Sequence, residues 1–104
     1  MAKKRHSFES VGVTPEGKQV ITGVFKMFDT MGLSLDIIFD LCEQSNLTPS
    51  WIHFYDDAIK QGWSEKTVLN RLETNISDVY GRPYWLEVEK RLHAYMQLRD
   101  NMLL

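Results

Sequence analysis

The chain has 104 residues, of which 43% are hydrophobic and 25% charged, and its formal net charge is −2. That size and balance fit one folded domain with its own core and exclude an intrinsically disordered chain. The lone cysteine, Cys42, excludes an intramolecular disulfide framework and a zinc knuckle, and the slightly negative charge argues against a protein that coats nucleic acid through bulk charge.

The start, MAKKRHSFES, carries Lys3, Lys4, Arg5 and His6 but no apolar run of signal-peptide length, and no stretch of eighteen apolar residues follows. A cytoplasmic protein without membrane contact is the expectation. Residues 1–13 lack a helical stripe and read as a flexible basic arm, leaving 14–104 as one helical domain.

Thr14-Pro15-Glu16-Gly17 reads either as an N-cap with proline at the first helical position or as a turn with proline second and glycine fourth. The spacing of Val20, Ile21, Val24, Phe25, Phe28 and Met31 favours a helix over about 15–31, with a hairpin over about 8–22 as the alternative. Gly32 ends that pattern. Ser34 caps a second helix, about 34–45, with Leu35, Ile37, Ile38, Leu41 and Cys42 on its apolar stripe. Thr48-Pro49 opens a third, whose Trp51, Ile52, Tyr55, Ala58 and Ile59 run to Gln61. Gly62 stops it and Ser64 caps a fourth, in which Val68, Leu69, Leu72, Ile76 and Val79 recur as far as Gly81. Pro83 opens the fifth, with Trp85, Val88, Leu92, Tyr95 and Met96 inward. The expected fold class is all-α, a compact bundle of about five short helices with an N-terminal β-hairpin or flexible basic arm. Its core would hold Val24, Phe28, Leu35, Ile38, Leu41, Trp51, Ile52, Tyr55, Ala58, Val68, Leu72, Ile76, Val88 and Leu92.

The segment Phe54–Glu73, FYDDAIKQGWSEKTVLNRLE, resembles the helix-turn-helix of DNA-binding proteins. Ala58 stands where a small residue lets the helices cross, Gly62 at the turn, Trp63 as the apolar plug after it and Val68 inside the second helix. Asp57 and Gln61 depart from the pattern, occupying places that usually hold aliphatic residues, and Arg71 stands where another is common, although Leu72 beside it could substitute. The resemblance implies that the fourth helix enters the major groove and exposes Ser64, Glu65, Lys66, Thr67 and Asn70, with Arg71 reaching phosphate. The same glycine and serine also serve as plain stop and start signals of two tightly joined helices. Lys3, Lys4 and Arg5 could lie along a groove or phosphate backbone, or be a solvated terminus. A second frame through Leu41, Cys42, Asn46, Leu47 and Ile52 has the same spacing, but its second helix would turn Asp56 and Asp57 toward phosphate.

Between Lys26 and Lys60 there is no Lys or Arg, while Asp29, Asp36, Asp40, Glu43, Asp56 and Asp57 crowd that stretch. An acidic, aromatic surface of the second and third helices, with Phe54, Asp56, Asp57 and His53 as its residues, is therefore the alternative site, suited to a basic protein partner. His53 and Asp57 share a helix face, without an identifiable hydroxyl or thiol nucleophile beside them. No acid, base, nucleophile or ligand set converges, so no enzyme, cofactor or metal is expected. Two readings remain: a small non-enzymatic accessory protein of phage or bacterial kind that binds double-stranded DNA, as a monomer or a homodimer, or a protein-interaction adaptor or inhibitor.

Overall fold

A computed structural model describes residues 8–102. The molecule is mostly helical and compact, with a small sheet at the N-terminal side, in the order β1 (Ser10–Val13), β2 (Gln19–Ile21), α1 (Val24–Met31), α2 (Leu35–Gln44), β3 (Leu47–Pro49), α3 (Trp51–Lys60), α4 (Glu65–Tyr80) and α5 (Arg82–Met102).

The long first helix expected over 15–31 is replaced by a hairpin followed by a shorter helix. Thr14–Gly17 is a turn: the Gly17 amide donates to the Thr14 carbonyl at 2.9 Å, and the Thr14 amide to the Lys18 carbonyl at 2.8 Å. Pro15 and Gly17 thus take the second and fourth places of a β-turn, and the β-branched Val20 and Ile21 extend into β2. Helix begins only after Gly23, whose φ is 87°. The turn pairs β1 with β2 antiparallel, with an irregular register between Ser10 and Gly12. Residues 10–13 are therefore strand, and Lys3, Lys4 and Arg5 lie outside the described residues.

The chain then returns through α1 and α2 to lay β3 parallel to β2, Val20 facing Thr48 in register. This third strand was not expected. Thr48-Pro49 looks like a helix start, yet Thr48 is buried as a strand residue and Ser50 takes the N-cap of α3. The strand also removes the second helix-turn-helix frame, because Leu47 belongs to β3.

The four longer helices follow the expected stripes closely. Val68, Leu72 and Ile76 of α4 interlock with Trp85, Val88, Leu92 and Met96 of α5, all buried, while Leu35, Ile38 and Phe39 of α2 close the core from the other side. Val24, Trp51, Tyr55 and Ala58 are buried as expected; Phe28 and Ile52 are half-buried against the core. Leu41 is a correction. It is 45% exposed, because α2 turns Leu35, Ile38, Phe39 and Cys42 inward and Leu41 lies beyond that arc. Edge-to-face ring pairs knit α1 to α3: Phe25 meets Phe54 and Trp63, each with centroids 5.2 Å apart.

Candidate nucleic-acid interface and the acidic surface

The join between α3 and α4 is built by hydrogen bonds that leave little freedom. The Trp63 amide donates to the Ala58 carbonyl at 3.0 Å and the Gly62 amide to the Ile59 carbonyl at 3.0 Å, the nested pair that closes a helix with a left-handed residue just past its end. Gly62 supplies that residue at φ 101°. Ser64 then caps α4, its Oγ accepting from the Thr67 amide at 3.1 Å. Ala58 and Val68 are fully buried, and half-buried Trp63 packs against the core. Asp57 lines a cleft and Gln61 is exposed, which explains how polar side chains are tolerated there.

The same geometry turns Ser64, Lys66, Thr67, Asn70 and Arg71 to the exposed side of α4, with Thr74 continuing the stripe. Arg71 does not hang free. Its guanidinium lies 5.2 Å from the Trp63 ring centroid and 5.7 Å from that of Phe28, a cation–π arrangement that holds the planar fork against the protein while its N–H groups remain accessible. The acids nearest this face are engaged. Glu65 accepts from the Tyr55 hydroxyl at 2.9 Å and from Arg99 at 3.3 Å, and Glu73 pairs with Arg82 at 2.8 Å. Lys66 and Arg71 have no acidic partner within ion-pair distance among the described residues. The rings flanking Arg71 are the part that sequence reasoning missed; the signal was present in Phe28 and Trp63, read there only as core and plug.

The expected acidic, aromatic surface does not assemble. Phe54 is 1% exposed, enclosed by Phe25 and Phe39, so it is a core residue and not a surface anchor. The inward stripe of α3 runs Trp51, Phe54, Tyr55, Ala58, because α1 and α2 cover its Phe54 side. Asp56 accepts from the Tyr95 hydroxyl at 2.6 Å. His53 and Asp57 do face one cleft, of about 470 Å³, together with Lys26, Asp29 and Lys60, a lining of mixed charge. His53 also has a hydroxyl neighbour: Ser50 Oγ lies 2.7 Å from its Nδ1. Serine at the N-cap and histidine three residues on thus meet side chain to side chain across the first turn of α3, with no side-chain bond to the backbone there.

Burial pushes the Cys42 thiol up to about 11, with Glu43 adding to the effect, so it carries little thiolate at neutral pH. Among the described residues no group of three His, Cys, Asp or Glu side chains is placed to hold a metal ion, and no helix is long and apolar enough to cross a membrane. Comparison with protein-family models, with curated proteins and with solved structures yields no match.

Proposed function

We propose that this chain is a non-enzymatic accessory protein that binds double-stranded DNA, laying the N-terminal half of α4 into a groove. The observation that carries the reading is the exposed stripe Lys66, Thr67, Asn70 and Arg71 behind a tight glycine turn, with neither cation in an ion pair among the described residues and Arg71 held against Trp63 and Phe28. Lys66 and Arg71 supply phosphate contacts, Asn70 and Thr67 have the donors and acceptors that read base edges, and the N-cap Ser64 adds a hydroxyl at the entry of the helix. Lys3, Lys4 and Arg5 would add sequence-independent phosphate contacts, and a homodimer would bring two copies of α4 to successive turns of the duplex. The expected setting is cytoplasmic.

Fluorescence anisotropy of a labelled mixed-sequence duplex, at low and at physiological salt, tests the proposal. Wild-type protein binds and weakens steeply with salt. The triple variant Lys66→Ala/Asn70→Ala/Arg71→Gln loses most of the affinity, and the slope of log affinity against log salt falls in magnitude by about 2, roughly one per removed phosphate contact. Equal binding by wild type and variant, or no binding at low salt, refutes it.

A further inference from the structure

The outward face of α2 has the opposite chemistry to that of α4. Ile37 and Leu41 lie one helical turn apart and are 48% and 45% exposed. Asp36 and Asp40 flank them on α2, and Asp78 of α4 joins them around a shallow groove whose apolar lining is Ile37 and Val79. None of the three aspartates has a Lys or Arg within ion-pair distance among the described residues. Two of them have neutral partners: the Ser34 hydroxyl donates to Asp36, and the Gln44 amide to Asp40 at 2.8 Å. The Ser34 hydrogen bond holds the Asp36 carboxyl below its ordinary range, so it stays charged at neutral pH.

We propose that this face docks a basic amphipathic segment of a protein partner, its aliphatic side chains resting on Ile37 and Leu41 and its Lys or Arg side chains meeting Asp36, Asp40 and Asp78. Charge complementarity selects this occupant. The aspartates repel phosphate, which rules against nucleic acid here, and a two-fold contact between two copies of the same face would set carboxylates against carboxylates. An aliphatic ridge rimmed by uncompensated acid is the surface that captures an amphipathic helix with a basic rim. The inference narrows partner binding from the second and third helices to α2, without Phe54, Asp56 and Asp57, and it does not depend on DNA binding by α4.

The test uses a fluorescent amphipathic helical peptide of Leu and Lys, with a Leu/Glu peptide of the same pattern as control. The full chain is titrated into each, as wild type, Ile37→Gln/Leu41→Gln and Asp36→Asn/Asp40→Asn. All four positions are on the surface-facing side of α2, and circular dichroism verifies that each variant keeps its helix content. Wild type binds the Leu/Lys peptide and not the Leu/Glu peptide, binding weakens as salt rises, and each double variant loses at least tenfold in affinity. Duplex anisotropy of Ile37→Gln/Leu41→Gln stays at the wild-type value, which separates this face from α4. Absence of Leu/Lys binding at low salt, or unchanged affinity in both variants, overturns the proposal. So does a dimer in sedimentation equilibrium that Ile37→Gln/Leu41→Gln dissolves, since that result gives the face to a second copy.

Discussion

Trp51 and Trp85 are both core residues, but they dispose of their indole N–H groups differently. Trp51 Nε1 donates to the Tyr84 hydroxyl at 2.9 Å, whereas Trp85 Nε1, on a side chain only 1% exposed, has no hydrogen-bond partner among the described residues. A satisfied buried donor contributes about 1 kcal/mol, and an unsatisfied one costs about 1–3 kcal/mol. Replacement by phenylalanine removes indole volume at both sites, but at position 85 it also removes the orphan donor. Trp51→Phe should therefore destabilise more than Trp85→Phe, by about 1–2 kcal/mol, although Trp85 is the more deeply buried. Urea unfolding of the two variants checks the order, and the reverse order would mean that lost volume outweighs the hydrogen-bond difference.

Three helices start at a serine, and the three hydroxyls do different things. Only Ser64 accepts from a backbone amide of its own helix; the Ser34 hydroxyl donates to Asp36 and that of Ser50 meets His53. Ser64→Ala should cost about 1 kcal/mol in denaturant unfolding, and Ser34→Ala and Ser50→Ala less than half as much. Equal losses at all three would count against the capping argument. The sequence made the helix starts at Ser34 and Ser64 legible because cap chemistry is local. The stripes of α4 and α5 were readable too, Val68, Leu72 and Ile76 on one and Trp85, Val88, Leu92 and Met96 on the other recurring every three or four residues. What stayed hidden was non-local. β3 is three residues long, and its strand character comes from pairing with β2, so Thr48-Pro49 by itself looks like a cap. Phe54 looked unaccounted for because nothing in the spacing of α3 tells which neighbouring helices will cover it. At the candidate interface the outward residues of α4 followed from periodicity, whereas the rings beneath Arg71 come from α1 and from the turn, brought together only by the fold.

All four tyrosines are tied into the folded molecule, which sets how it responds to base. Desolvation raises Tyr55, Tyr80 and Tyr84 above the ordinary value near 10, and the hydrogen bond to Asp56 raises Tyr95. A group whose folded pKa lies above its unfolded value gives stability that is complete below the unfolded value and lost as pH climbs toward the folded one. Stability should hold up to about pH 10 and fall beyond it. Tyrosinate absorbance at 295 nm should rise together with the loss of helix by circular dichroism; tyrosinate appearing well before unfolding would contradict the tyrosine environments described. The sheet has a consequence of another kind, in the order of assembly. α4 and α5 meet across Gly81 alone, so their pairing closes almost no loop. Joining Gln19 to Leu47 closes 47 − 19 = 28 residues of chain, and that entropy must be spent before the parallel pair returns any hydrogen bond. The helical hairpin is thus the cheap beginning of the fold and the β2–β3 pair its costly seam, the place where the molecule should come undone first while its helical half stays shut.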